Sequence, residues 1–192
     1  MPIDAQAWLQ QHGEAEPPHR AVPMSDELEA ESIASDGDVD AEAIARGIAL
    51  RKLTVRARTR HELDHALADK NVPPSVKEAV LARLQDVGLV DDASLAIDWV
   101  NSRQQRRHLS RRALRRELQV KGVERDDIER ALEEVDFNSE LTTARDLVER
   151  KRQTMSGLRR DVQYRRLAGM LSRRGFDTAV TVQVLNESLG PE

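Results

Sequence analysis

One pattern recurs three times in this chain and limits the folds available to it. Two leucines stand four residues apart, and three positions after the second comes a basic residue, followed by glycine or asparagine and then an apolar residue. The copies are residues 63–72, 114–123 and 167–176, whose starts lie 51 and 53 residues apart. Leucines at this spacing share one side of a helix, and glycine or asparagine accepts the left-handed conformation that ends a helix. The chain is therefore predicted to be a helical repeat protein.

Each repeat has room for three short helices. In the first repeat, apolar residues at helical spacing over 41–53 predict one helix, and Thr59 with Glu62 forms a capping box that starts the second. A proline pair then separates the second helix from a third, which Ser75 is predicted to cap. Ser110 lies 51 residues after Thr59 and is predicted to cap the equivalent helix of the second repeat.

These elements predict an all-α fold, an elongated array of three tandem three-helix repeats preceded by a mostly disordered acidic tail. The predicted bounds are 1–40 for the tail and 41–88, 89–137 and 138–192 for the repeats. A unit of three short helices buries little surface, so we expect the repeats to pack on one another.

The tail is predicted from charge and composition. Residues 1–40 contain ten acidic residues against Arg20 alone, a net charge of -9, whereas the whole chain carries -4. The segment also contains Pro17, Pro18 and Pro23 and no sustained periodicity, so it is not expected to bury enough surface to offset the entropy of ordering. The remaining 152 residues then carry +5, which favours an acidic partner.

Composition also excludes several classes of protein. The chain contains no cysteine, which rules out disulfides, thiolate catalysis and cysteine zinc sites. No segment has the apolar length of a membrane span, and the acidic start does not resemble a signal peptide. We therefore expect a cytoplasmic protein without a membrane partner. It is also expected to be a monomer.

The positive charge is concentrated on the second helix of the second repeat. There Arg111, Arg112, Arg115 and Arg116 fan across an arc beside the leucine side. Arginine's planar fork suits phosphate or carboxylate, so we interpret this arc as a contact surface, with an ordinary solvated face as the alternative. The residues predicted to make contact are Arg111, Arg112, Arg115, Arg116, Arg103, Arg106, Arg107, Lys121, Arg165 and Arg166.

One motif suggests an enzyme and has to be weighed. The stretch from His61 to His65 matches the H-E-x-x-H pattern of zinc hydrolases. However, Glu62 already has a capping role, and the equivalents of the two histidines are Arg112 and Arg116 in the second repeat. We interpret the histidines as part of a solvated helix face. No catalytic residue, metal ligand or cofactor site is predicted, and the chain is not expected to be an enzyme.

Taken together, these residues resemble a known family, the RecX regulators of the RecA recombinase. The resemblance covers about residues 41–185 and is carried by three stretches, 58–63, 88–103 and 114–123, in that order and spacing. Two positions depart from the family pattern: Leu95 stands where an aromatic residue is frequent, and Asn71 replaces a glycine. Both are tolerable, because leucine fills a core and asparagine accepts the left-handed conformation.

The resemblance implies an inhibitor that binds the RecA filament on single-stranded DNA, in its groove, and limits ATPase, strand exchange and coprotease activity. Direct contact with the DNA phosphate backbone is a further implied interaction. The alternative that the residues leave open is a helical DNA-binding protein that acts without RecA, because three-helix units with a basic helix also resemble helix-turn-helix modules.

Overall fold

A computed structural model describes the backbone of residues 26–190 and the side chains of residues 41–190. Over that part of the chain it contains nine helices and no strand, which confirms the all-α prediction. The helices are α1 (Asp26–Val55), α2 (Arg60–Ala68), α3 (Pro74–Asp86), α4 (Asp92–Arg107), α5 (Arg111–Val120), α6 (Arg125–Ala131), α7 (Phe137–Gln153), α8 (Arg160–Arg173) and α9 (Thr178–Leu189). None of these described helices has the length and apolar character needed to cross a membrane.

The first helix begins further upstream than the sequence predicted. α1 starts at Asp26, inside the predicted tail, and no proline interrupts the chain between Pro23 and Pro73. Every residue in that interval keeps the backbone N–H that a helix requires. The disordered tail is therefore not confirmed for residues 26–40, and residues 1–25 lie outside the described part of the chain.

The chain forms two compact units, Met1–Asp92 and Ala93–Glu192. The first unit encloses one hydrophobic cluster, between α1, α2 and α3, and the second unit encloses two. The recurring leucines lie inside these clusters and are at most 1% exposed: Leu63, Leu67, Leu114, Leu118, Leu167 and Leu171. The three clusters fall mainly within the three predicted repeats, although Leu89 and Val90 of the predicted second repeat pack in the first cluster. Ile44, one of the apolar residues at helical spacing in α1, is not part of the core, because it is 64% exposed.

The helix ends mostly follow the sequence signals. Thr59 Oγ1 accepts from the Glu62 N–H, and the Glu62 carboxylate accepts from the Thr59 N–H, which confirms the capping box. Asn71 has a φ of 57°, as its place at a helix end predicted. The predicted cap at Ser75 is wrong. α3 already begins at Pro74, because the first turn of a helix does not use the N–H that proline lacks.

Within the second unit, α5 is held at its N-terminus by residues of the third repeat. Ser110 caps α5 by accepting from the Ala113 N–H at 3.2 Å, and its own N–H donates to the carbonyl of Arg174 at 3.1 Å. The next amide, that of Arg111, donates to a carboxylate oxygen of Glu140 at 2.9 Å. Ser110 is fully buried. The N-terminus of the arginine-rich helix is therefore fixed by both its own cap and the following repeat.

Candidate interaction surface

The leucine side of α5 determines where its arginines point. Leu114 and Leu118 are fully buried, and Gly122 closes the turn after the helix with a φ of 72°. At 100° per residue, the arginines must then occupy the remaining circumference of the helix. Their neighbours on that circumference differ, so the four side chains do not form one uniform surface.

Arg111 is used inside the repeat. Its guanidinium donates to the carbonyl oxygens of Leu132 and Val135, the latter at 3.0 Å, and pairs with Glu129 at 3.1 Å. Those carbonyls follow the end of α6, where the last carbonyls of a helix have no partner within it. Arg111 therefore stabilises the packing of α5 on α6 and does not point freely to solvent.

Arg115 is also paired within the repeat. Its Nε and Nη2 atoms donate to the two carboxylate oxygens of Glu129 at 3.1 and 2.8 Å, which is the bidentate geometry that arginine favours. The hydrogen bonds from Arg115, and secondly from Arg111, hold the pKa of Glu129 below its ordinary value. Glu129 therefore stays ionised between two of the four arginines that were predicted to bind a partner.

Arg112 and Arg116 point outward. Both side chains are exposed, and neither forms an ion pair with another described residue. Because they stand four residues apart on α5, they lie on the same face of the helix. These two guanidinium groups are the part of the predicted arginine arc that is available to a partner.

Trp99 organises the basic residues on the other side of α5. The Arg103 guanidinium carbon lies 3.9 Å from the centroid of the Trp99 ring, and Lys121 Nζ lies 4.3 Å from it. The indole N–H and Arg103 Nε both donate to one carboxylate oxygen of Glu117, each at 2.8 Å. Lys121 is only 7% exposed. Arg103 and Lys121 are thus packed on Trp99 and are poorly placed to bind another molecule.

The remaining predicted contact residues are exposed. Arg107 lies 3.6 Å from Glu117, while Arg106 makes no ion pair with a described residue. In the third repeat, Arg165 lies 3.9 Å from Asp161, at the limit of an ion pair, and Arg166 is unpaired among the described residues. These four residues, unlike Lys121, can reach a partner.

The two histidines of the H-E-x-x-H motif lie on an exposed face of α2. Their rings meet edge to face with centroids 4.4 Å apart, and Glu62 between them belongs to the capping box. Among the described side chains, no group of three or more His, Asp or Glu residues converges on a point that could hold a metal ion.

Sequence reasoning missed the acidic partners that divide the arginines. Glu129 engages Arg111 and Arg115, while Glu117 engages Arg103 and, at a longer distance, Arg107. Glu117 was visible within the arginine-rich helix, one turn after Leu114. Glu129 lies 14 residues beyond Arg115, and no local spacing rule connects the two.

The chain is similar to known proteins along most of its length. Family models described as the first, second and third three-helix domains of RecX match residues 45–84, 91–132 and 138–185. The regulatory protein RecX of Streptomyces coelicolor is 46% identical over 148 residues, which cover 77% of this chain and 79% of the relative. The regulatory protein RecX of Mycobacterium marinum is 43% identical over 159 residues, covering 82% and 92% of the two chains.

Solved structures show the same fold. The crystal structure of RecX from Lactobacillus salivarius superposes with a TM-score of 0.69 at 19% identity, covering 78% of this chain and 97% of that one. A second crystal structure, of regulatory protein RecX, gives a TM-score of 0.72 at 20% identity and covers 93% and 84%. At this identity the likeness concerns the fold alone.

Proposed function

Because this chain belongs to the RecX family of regulatory proteins, we propose that it inhibits the RecA recombinase by binding the RecA filament on DNA. The surface that carries the proposal is the outward pair Arg112 and Arg116, with Arg106 and Arg107 at the end of the preceding helix. In this proposal, the protein lies in the groove of the filament and limits ATPase, strand exchange and coprotease activity.

The observation that supports this surface most is the contrast between neighbouring arginines. Arg111 and Arg115 are held by Glu129 and by carbonyl oxygens, whereas Arg112 and Arg116 are exposed on a helix whose backbone is fixed at its N-terminus. A rigid helix presents charged groups with little further loss of backbone entropy on binding. The guanidinium fork matches the geometry of both carboxylates and phosphates, so acidic protein surface and DNA phosphate both fit this pair.

The proposed inhibition is steric. A protein that occupies the groove obstructs the addition of recombinase subunits or the entry of a second DNA duplex. The arginine pair would contribute mainly to association and register, because rim charges act chiefly on the rate of encounter and on specificity.

A double charge reversal tests the assignment. Arg112→Glu with Arg116→Glu leaves the buried leucines and the Glu129 pairs in place, so the variant should fold normally while inhibition of filament ATPase requires at least about tenfold more protein. The matched control is Lys70→Glu with Arg83→Glu, two exposed cations of the first repeat without an ion pair among described residues. We expect the control to inhibit like the parent protein. Equal inhibition by both variants would remove Arg112 and Arg116 from the contact surface.

Binding to filaments and to bare DNA across a salt series separates the proposal from a protein that acts on DNA alone. We expect binding to the filament at salt concentrations that abolish binding to bare DNA, because phosphate contacts alone weaken steeply with salt. Equal affinity for bare DNA and filament, with the same salt dependence, would favour the DNA-binding alternative and contradict the proposal.

A further inference from the structure

The third repeat contains a basic cleft that includes Arg165 and Arg166 of the predicted contact residues but lies outside the surface of Arg106, Arg107, Arg112 and Arg116 proposed above. It lies between the C-terminal part of α7 and the outer side of α8, with a volume of about 360 Å³. Four cations line it, Lys151, Arg165, Arg166 and Arg173, and none of the described residues that line it is acidic. The cleft is therefore a concentration of positive charge around a concave surface and not a flat solvated face.

Its cations are largely unneutralised. Among the described residues, Lys151, Arg166 and Arg173 form no ion pair, and Arg165 reaches Asp161 only at 3.9 Å. By contrast, two arginines of α7 that do not line the cleft are paired, Arg145 with Glu187 at 2.7 Å and Arg152 with Glu149 at 3.3 Å. Four like charges around one cavity repel one another, and an anionic ligand relieves that repulsion.

The floor of the cleft is apolar. It includes Met155 and Met170, which are 5% and 8% exposed. Methionine is flexible and polarizable, so it adapts its shape to an apolar group of another molecule. A ligand that uses both rim and floor must therefore carry negative charge around an apolar side chain.

Gly169 opens the cleft. It lies within α8, where glycine costs about 1 kcal/mol relative to alanine, and its φ is not positive, so the backbone does not require glycine there. At the equivalent position the second repeat has Arg116, which projects outward. A Cβ on Gly169 would lie 3.3 Å from Arg173 Nη1, the mobile end of a long side chain. The third repeat thus has open space where the second has an arginine.

From these observations we propose that the cleft binds a short acidic peptide segment of a partner protein, with one apolar side chain of the peptide seated on the two methionines. The arginines would hold carboxylates in their planar forks. Single-stranded nucleic acid fits less well, because no aromatic residue lines the cleft to stack a base. This inference goes beyond the proposed function and does not require RecA to be the partner.

The test uses the full chain and synthetic probes. A fluorescent peptide of glutamates around one central leucine is titrated at physiological ionic strength, alongside the same peptide with serine in place of leucine and a thymidine oligonucleotide of equal charge. The leucine peptide should bind about tenfold more tightly than the serine peptide, because only leucine gains from burial on the floor.

Two kinds of variant separate shape from charge. Gly169→Leu fills the cleft and keeps all four cations, and it should weaken binding of the leucine peptide by at least about tenfold, whereas Gly169→Ala should change it by less than about twofold. Arg166→Gln with Arg173→Gln should weaken binding of both peptides. Its matched control, Arg130→Gln with Arg150→Gln, removes the same charge from exposed positions that do not line the cleft. That control should bind like the parent protein.

Three results would overturn the proposal. Equal affinity for the leucine and serine peptides would show that charge alone binds. Tighter binding of the oligonucleotide, lost in the same variants, would make the cleft a nucleic-acid site. Unchanged affinity in both Gly169→Leu and the double arginine variant would place the peptide elsewhere. Circular dichroism checks that each variant is folded. If Gly169→Leu does not fold, the variant Arg166→Gln with Arg173→Gln decides whether the peptide binds in the cleft.

Discussion

Two glutamates, Glu117 and Glu129, divide the arginines of the second repeat into a group that is paired within the repeat and a group that faces solvent. Arg111 and Arg115 donate hydrogen bonds to Glu129, and Arg111 also to carbonyl oxygens, while Arg112 and Arg116 on the same helix face outward. On the preceding helix, Arg103 donates to Glu117. The four arginines of α5 form two adjacent pairs, 111–112 and 115–116, so their local sequences are almost identical. The difference depends on which neighbour each guanidinium contacts once the helices pack. Substituting a paired arginine should therefore lower stability, whereas substituting an outward arginine should not.

Replacing Arg111 should affect stability, and replacing Arg112 should not. Arg111→Gln removes charged hydrogen bonds at the end of α6, so the free energy of unfolding should fall by about 1 to 3 kcal/mol. Arg112→Gln, the matched control one residue away, should change it by less than about 0.5 kcal/mol. Urea unfolding monitored by circular dichroism measures both. If the two variants were equally stable, Arg111 would have no structural role.

At the level of helices, α5 connects two repeats within the second unit. Gly175 follows α8 with a φ of 89°, and a Cβ there would lie 2.5 Å from Ser110 Oγ and 2.8 Å from Ala113 Cβ. Glu140 accepts from the Arg111 N–H, and burial raises the pKa of its carboxyl group although that N–H opposes the shift. The repeats thus meet through close backbone contact and a carboxylate at a helix N-terminus.

The first unit contains a similar bond at the same place in its repeat. There the first amide of α2, that of Arg60, donates to the Asp92 carboxylate at 2.9 Å. Thr59 before it corresponds to Ser110 before Arg111. The same arrangement therefore occurs in both repeats: a hydroxyl side chain caps the helix, and the next amide donates to a carboxylate that is distant in sequence. It satisfies two of the N–H groups that a helix leaves free at its start.

Adding a methyl group at Gly175 should disturb this contact. Gly175→Ala introduces both the strain of a left-handed alanine and a clash with Ser110, whereas the control Gly88→Ala introduces the strain alone, since nothing lies within 4 Å of its Cβ. We expect Gly175→Ala to cost about 1 to 3 kcal/mol more in free energy of unfolding than the control. Hydrogen exchange at the Ser110 amide should accelerate only in Gly175→Ala. Equal costs in the two variants would contradict the close contact.

The charge of the full chain is divided by sequence position. Residues 1–40 carry -9, and the rest carries +5. A long-range attraction of the basic surface for polyanions should therefore be weakened by the acidic segment in the full chain.

Removing residues 1–40 should raise the affinity for a single-stranded oligonucleotide at low salt. The net charge changes from -4 to +5, and the gain should shrink as salt screens the charges. A full-length control with the ten acidic residues of this segment replaced by their amides should show the same gain. Unchanged affinity in both proteins, measured by fluorescence anisotropy, would show that the segment does not influence the basic surface.

Much of the fold was predictable, because it depends on local rules. The spacing of Leu114 and Leu118 identified a buried helix side, Thr59 and Ser110 identified helix starts, and Asn71 marked a left-handed end. The start of α1 was not predicted, because residues 26–40 are acidic and show no apolar periodicity, although they contain no proline. The start of α3 was missed because Pro74 and Ser75 are both typical of helix starts, Pro74 as a first helical residue and Ser75 as a cap.

The arginine arc from 111 to 116, with its buried leucines and its serine cap, was readable in the linear chain. Helix period and capping depend on residues within a few positions of one another. Only the tertiary structure decided which basic residues remain available to bind a partner. Packing brings Glu129, Glu117 and the carbonyl of Val135 to some of them and not to others. An ion pair forms between groups brought close in space, and their separation along the chain carries no information about that proximity.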